Sequence, residues 1–160
     1  MVYNCSMEIQ IKSPTLTDWQ VIQKLNNEVF QADKDHDEDL KLDWPFSEKG
    51  IAYYKKLAEG SYGKCFIAYL DDEPVGYVAL AIKKFGYRTG KYVEVENIGV
   101  SPKFRGQGIG KKLMEKAGEW AKGQRATKLY VSAYSQNTKA ISFYKTNGFE
   151  TVGVELEKEI

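Results

Sequence analysis

Residues 101–113 read SPKFRGQGIGKKL, with Gly106, Gly108 and Gly110 at every second position among Lys103, Arg105, Lys111 and Lys112, and a helical pattern follows at once. The first turn of a helix leaves about four backbone N–H groups unpartnered and carries about half a positive charge. Glycines that let an anion approach such a turn closely therefore make it a diphosphate site. A Walker loop does not fit, because Arg105 stands where its first glycine belongs and Lys112 where it needs Ser or Thr. A dinucleotide fingerprint fails as well, since Lys111 occupies the place of its third glycine. Taken alone, the stretch also fits a tight strand-to-helix turn with solvated lysines.

Just upstream, YVEVENIGV puts Glu94 and Glu96 on one face of a strand that otherwise reads as buried. Desolvation is what turns a carboxylate into a usable base, although the pair equally fits an exposed strand face. The apolar residues switch from Val93 and Val95 to Ile98 and Val100, a one-residue slip in a period of two. A β-bulge produces such a slip and leaves backbone groups unpaired; two halves burying opposite faces would produce it too. A third group is the acidic run Asp33, Asp35, Asp37, Glu38, Asp39 and Asp43. It begins like a calcium loop, but Glu38 stands where glycine is required and Trp44 where the closing glutamate belongs. His36 has no partner at metal-ligand spacing, so no metal site is expected.

These residues must be held by a chain of 160 residues, about one domain, here taken as residues 1–160. Hydrophobic residues make up 42 % and aromatic residues 13 %, enough for a core, and 23 cations against 22 anions leave a net charge of +1. No overall field draws the chain to nucleic acid or anionic lipid. Cys5 and Cys65 lie far apart, and neither a signal peptide pattern nor a membrane-length apolar run is present. A cytoplasmic protein with free thiols is expected.

The periodicity predicts a strand at MEIQIK, a helix over 18–30 capped by Thr17, and a second helix from Ser47 through Leu57. Strands follow at KCFIAYL, PVGYVALAIKK and KYVEVENIGV, joined by the turn signals DDEP and FGYRTG. A helix over 108–122, a strand KLYVSAY, a helix over 137–147 and a last strand from Phe149 complete the chain. The order β-α-α-β-β-β-α-β-α-β predicts an α/β fold with one mixed, mostly antiparallel sheet flanked by helices.

NIGVSPKFRGQGIGKKL closely resembles the R/Q-x-x-G-x-G/A signature of the GNAT superfamily of acetyl-CoA-dependent N-acetyltransferases, with its apolar strand end and proline. NTKAISFYKTNGF is similar to the pattern these proteins carry on their last helix and strand. The resemblance implies the acyl-CoA N-acyltransferase fold, an enzyme that uses acetyl-CoA as donor, and a cofactor site at Arg105, Gly106, Gln107, Gly108, Ile109, Gly110 and Lys111. It implies that main-chain groups of Ile98 and Val100 bind the pantetheine arm where two strands splay, as in strand addition. It also places Asn137 against the cofactor, where it can cap the helix as well.

An amine attacks a thioester only when unprotonated, so a base, an oxyanion donor and an acid for the departing thiolate are needed. The resemblance implies Glu96 first and Glu94 second as the base, a water relaying the proton in either case, and Tyr144 as the acid. A main-chain N–H near Ile98 or Gly99 is the expected oxyanion donor. Outside this motif Tyr144 would read as a helix-face aromatic packed beside Phe143.

For the acceptor, the acidic run either steers a cationic amine such as a polyamine or an aminoglycoside, with Trp44, Phe46, Tyr53 and Tyr54 as walls, or is a solvated loop. Ser132 stands where ribosomal-protein N-terminal acetyltransferases usually carry a glutamate, which argues against that subgroup. A non-catalytic acyl-CoA-binding module and a peptide or protein amine acetyltransferase are the alternatives, and family habit makes a homodimer plausible.

Overall fold

The computed structural model describes residues 8–160. Strand β1 is Ile9–Lys12, with Ile9 and Ile11 turned toward the interior. Met7, where this strand was expected to begin, lies outside the described residues. Helix α1 is Trp19–Asp33, ending three residues beyond the predicted end at Phe30, and it draws the first member of the acidic run into its last turn. Its N-cap position is Asp18 rather than Thr17. The Asp18 carboxylate turns back to accept from the Thr15 N–H (2.6 Å) and hydroxyl (2.8 Å), so the preceding turn, not the helix, receives its bonds.

Helix α2, Glu48–Glu59, starts as expected at Ser47, whose hydroxyl oxygen accepts from the Gly50 N–H at 3.1 Å. It ends on Gly60 in the left-handed conformation, φ 72°. Strands β2 (Lys64–Leu70), β3 (Glu73–Lys83) and β4 (Tyr92–Val100) form the expected antiparallel meander. Helix α3 is Ile109–Gly123, strand β5 is Lys128–Tyr130, and helix α4 is Thr138–Thr146. The sheet runs β1-β2-β3-β4-β5, antiparallel throughout except for the parallel β4–β5 pair that the α3 crossover requires.

Two expectations fail at this end of the sheet. Strand β5 stops at Tyr130 instead of running to Tyr134, and no strand forms after Phe149; residues 150–160 are exposed and without regular structure. The sheet is buried on both faces. On one, Val78, Leu80, Val93 and Val95 pack with Ile109, Leu113 and Ala117 of α3. On the other, Ile22 and Leu25 of α1 and Tyr54 and Leu57 of α2 close over Ile67, Tyr77 and Ala79. Each large apolar side chain so buried stabilises the fold by roughly 1.5–3 kcal/mol, and β4 is thereby clamped between two cores.

Candidate active site

Strand β4 carries the expected bulge, and Glu96 is its extra residue. Leu80 of β3 faces Val95 and Ala79 faces Asn97, which leaves Glu96 without a cross-strand partner. The insertion keeps Val95 and Ile98 on the α3 side despite their odd spacing, and turns Asn97 and Gly99 toward α1. At Gly99 a Cβ would lie 2.5 Å from Cγ2 of Val29, so glycine is what lets α1 press on the strand here.

Beyond the bulge β4 has an open edge. Its pairing with β5 ends at Glu94 opposite Tyr130. The Ser101 N–H donates to the Val75 carbonyl at 2.8 Å, which makes these two residues a hydrogen-bonded pair. Antiparallel ladders alternate, so Gly99 and Asn97 also bond to β3, whereas the N–H and C=O of Ile98 and Val100 point toward the gap beside β5. Arg105 Nε donates to the Val100 carbonyl at 3.0 Å, tying the glycine stretch to this edge. The oxyanion donor expected near Ile98 or Gly99 is narrowed by this geometry: the Gly99 N–H is directed into the sheet and the Ile98 N–H is open.

The glycine stretch then delivers the N-terminus of α3. Gly106 and Gly108 hold φ of 77° and 80°, and a Cβ at either would meet open space. Gly110 has another purpose, because a Cβ there would sit 3.1 Å from the Phe143 ring; it brings α3 and α4 together. No side chain caps α3, in contrast to α2 and α4, and no acidic residue lies in its first turn. Ile109 is buried, while Gln107, Lys111 and Lys112 are exposed around the open N–H groups. Lys103 is engaged by Glu73 at 2.8 Å, whereas Lys112 forms no ion pair among the described residues.

The two glutamates have different surroundings. Glu94 is paired with Lys83 at 3.0 Å, and that hydrogen bond holds the Lys83 ammonium above its ordinary range. Glu96 forms no salt bridge among the described residues, although its charge adds to that of Glu94 in holding up the Lys83 ammonium. Its two oxygens accept from two phenols, Tyr53 of α2 at 2.9 Å and Tyr62 of the α2–β2 connection. The bond to Glu96 pushes the Tyr62 hydroxyl up to about 12, and burial with the same carboxylate raises Tyr53 further. Both phenols therefore stay protonated donors near neutral pH. Each carboxylate oxygen retains a lone pair for a water or an amine.

Asn137 caps α4, its Oδ1 accepting from the Ala140 N–H at 3.1 Å. Tyr144 stands between Phe143 and Phe149, ring centroids 5.5 and 5.7 Å away, and its hydroxyl has no hydrogen-bond partner among the described residues. Burial, with a smaller contribution from the charge of Asp33, pushes this phenol up to about 12. The packing expected outside the motif and an available hydroxyl thus coexist.

Residues 19–149 match the acetyltransferase (GNAT) family. The chain belongs to this family. Among curated GNAT relatives, an uncharacterized N-acetyltransferase of Archaeoglobus fulgidus is 34 % identical over 132 residues, 73 % of this chain and 88 % of that protein. One of Methanocaldococcus jannaschii is 38 % identical over 111 residues, 68 % of this chain but only 46 % of the relative's length. The thialysine N-epsilon-acetyltransferase of Sus scrofa is 33 % identical over 99 residues, 58 % of each chain. Among solved structures, a Bacillus halodurans protein superimposes with a TM-score of 0.80 at 18 % identity, covering 94 % of this chain and 99 % of that one. An aminoglycoside N-acetyltransferase in complex with coenzyme A gives 0.74 at 18 % identity, covering 97 % and 96 %. At such identities the two share a fold with this GNAT chain.

The acceptor side departs from expectation. Tyr54 is no wall: it is fully buried and donates to Asn26, which bonds Tyr77, which in turn donates to Asn97 beside the bulge. Trp44 stacks on Phe30 at 5.7 Å and meets Tyr53 at 5.9 Å, while Phe46 is exposed. The acidic run is anchored, since Asp37 accepts from the Tyr134 hydroxyl at 2.7 Å and from the Asp39 N–H at 3.0 Å. Asp35 and Asp39 keep exposed side chains. The Tyr62, Asn97 and Tyr134 contacts carry no sequence signal, because each joins residues at least 20 apart. Tyr53 was legible only as an aromatic of α2. Among the described residues no group of carboxylates, histidines and cysteines could hold a metal ion, and no helix is long and apolar enough to cross a membrane. Cys65 is a free, buried thiol.

Proposed function

We propose that the chain transfers the acetyl group of acetyl-CoA to a primary amine of a small, cationic acceptor by direct attack on the thioester. The observation that carries this reading is the convergence along β4. One bulge presents Glu96, the next residues offer the open main chain of Ile98 and the N–H of Val100, and Arg105, bonded to the Val100 carbonyl, joins that edge to the uncapped N-terminus of α3. The diphosphate of coenzyme A takes the N–H groups of Gly108, Ile109, Gly110 and Lys111, with Lys112 and Arg105 adding charge. The pantetheine amides pair with Ile98 and Val100 as an added strand. Asn137 borders the same arm.

Glu96, fixed by Tyr53 and Tyr62, accepts the amine proton through a water. The nitrogen lone pair forms the new N–C bond, the Ile98 N–H stabilises the oxyanion, and the C–S bond breaks as Tyr144 protonates the thiolate. The products are an N-acetylated amine and the thiol of coenzyme A. Glu94, already paired with Lys83, is the lesser base. The relatives whose names state an acceptor include a thialysine and a peptidyl-lysine acetyltransferase, which favours an amine at the end of an alkyl chain.

The test is product formation from acetyl-CoA over polyamines, aminoglycosides, lysine analogues, amino acids and peptides, with Glu96→Gln in parallel. Turnover with an alkyl amine that falls by about 100-fold in Glu96→Gln supports the proposal. Tight coenzyme A binding without transfer to any amine would reduce the chain to a binding module. Undiminished turnover in Glu96→Gln would remove Glu96 as base.

A further inference from the structure

Beside Glu96, Asn97 ends a chain of buried hydrogen bonds that the proposed chemistry does not use. Tyr54 donates to Oδ1 of Asn26, Nδ2 of Asn26 donates to the Tyr77 hydroxyl at 2.6 Å, and Tyr77 donates to Oδ1 of Asn97. Tyr54, Asn26 and Tyr77 are at most 3 % exposed. A polar chain sealed so deeply is unfavourable unless each member is satisfied, so it holds one arrangement.

The chain runs in one direction. A phenol has one proton to give, and the buried Tyr54 hydroxyl finds no acceptor but Asn26 among the described residues. Asn26 must therefore turn its oxygen to Tyr54 and its N–H to Tyr77, and Tyr77 passes its own proton to Asn97. Burial pushes the Tyr77 hydroxyl well above its ordinary range, so that proton stays in place. The Asn97 carboxamide is thus fixed with its oxygen inward. Its Nδ2 makes no hydrogen bond among the described residues, and this half-buried side chain leaves it open to solvent. Glu96 and Asn97 also emerge on one side of the sheet, since Tyr53, which holds Glu96, and Tyr77, which holds Asn97, pack in the same core.

We propose that Asn97 is a positioning residue for acetyl transfer, its Nδ2 donating to the water through which Glu96 takes the amine proton. The proposal rests on Glu96 as base. A water between the two groups gives one hydrogen to the carboxylate and accepts from the amide, which leaves its second lone pair for the ammonium N–H. As the ammonium proton moves to the water, the water's own proton moves to Glu96, and the nitrogen lone pair is freed for the thioester carbon. Tyr54, Asn26 and Tyr77 act through Asn97, by keeping its donor rather than its carbonyl toward the water.

Steady-state kinetics, coenzyme A calorimetry and NMR of the side-chain amides test this on the full chain. Asn97→Ala is expected to lower kcat by about 10-fold, the effect of one lost hydrogen bond, with the KM for acetyl-CoA and the affinity for coenzyme A nearly unchanged. Tyr77→Phe keeps the amide but frees it to turn, so kcat should fall a few-fold, and the double variant should be no slower than Asn97→Ala. Tyr54→Phe, which removes the first donor, replaces Tyr77→Phe if that variant does not fold. In the wild type the Asn26 amide protons should exchange slowly with solvent and both Asn97 amide protons fast. A wild-type kcat in folded Asn97→Ala overturns the proposal, as do losses that add in the double variant or a protected amide proton at Asn97. Glu96→Gln keeps two failures apart. If it turns over at the wild-type rate, the base assignment is at fault and this role falls with it; if it is slow while Asn97→Ala is not, only the role of Asn97 is removed. A wild type that transfers acetyl to no amine removes the reaction itself, and this role with it.

Discussion

Glu96 owes its position to one inserted residue and its orientation to two phenols. If it is the base, Glu96→Gln should lower kcat by about 100-fold or more and leave the KM for acetyl-CoA nearly unchanged. A hydrogen bond to a charged group contributes about 1.5–3 kcal/mol when sheltered. Tyr62 is half open to water, so Tyr62→Phe should lower kcat only a few-fold, and Tyr53→Phe, more buried, should lower it more. Steady-state kinetics on the three variants orders the effects, and a Tyr53→Phe enzyme with wild-type kcat would mean that the phenols merely fill space. At the cofactor end the informative residue is Gln107. A glycine variant such as Gly108→Val would strain a backbone at φ 80° whether or not coenzyme A binds there. Gln107→Glu leaves the backbone alone and puts a negative charge on the open N–H groups. It should weaken coenzyme A binding by about 10-fold at low salt, with less effect at high salt, as calorimetry would read.

At the scale of elements, the contact of α1 with β4 and the docking of the acidic loop shape the surface around the bulge, where the acceptor is proposed to enter. Gly99→Ala puts a methyl 2.5 Å from Val29, so α1 or the strand must shift. The expected loss is about 1–3 kcal/mol in urea unfolding, and Val29→Ala should recover part of it by making room. The loop is held by Asp37 on Tyr134, so a charge test must spare that residue. Asp35→Asn with Asp39→Asn removes exposed charge only, and should raise the KM for a polycationic amine by a few-fold without affecting a singly charged one. Added salt should erase the difference. Equal KM values would make the loop a solvated surface.

For the whole molecule the tyrosines couple stability to alkali. Tyr62, Tyr134 and Tyr144 are each pushed up to about 12, Tyr62 by its bond to Glu96, the other two chiefly by burial, while Tyr53, Tyr54 and Tyr77 rise further. In the unfolded chain these phenols titrate near 10. The native state therefore keeps protons that the unfolded state releases between about pH 10 and 12. The stability they contribute is complete below about pH 10 and is lost as the pH climbs toward the folded values. Urea midpoints should be flat up to about pH 9 and fall steeply above it, and a midpoint unchanged at about pH 11 would show that these hydroxyls are not sheltered.

What the sequence determined by itself were the features written in local spacing. The helices and the meander follow from apolar periods of 3.6 and 2, Ser47 and Asn137 announce their caps, and the phase slip between Val95 and Ile98 is visible because a bulge is a local insertion. The glycine stretch was legible for the same reason: two left-handed turn positions and a close approach of α3 to α4 demand glycine at fixed, closely spaced places. Tertiary structure alone decided the rest. Pairing of Glu96 with Tyr53 and Tyr62, but of Glu94 with Lys83, depends on which elements the sheet brings opposite each other, and no local period encodes contacts across 11 to 43 residues. The same holds for Tyr54, whose aromatic ring suggests a wall until the sheet buries it, and for the alternation that opens Ile98 and closes Gly99, which is set by register with β3. Residues 150–160 mark the boundary most plainly: residues 152–156 alternate as a strand would, but a strand exists only where another pairs with it, and here none does.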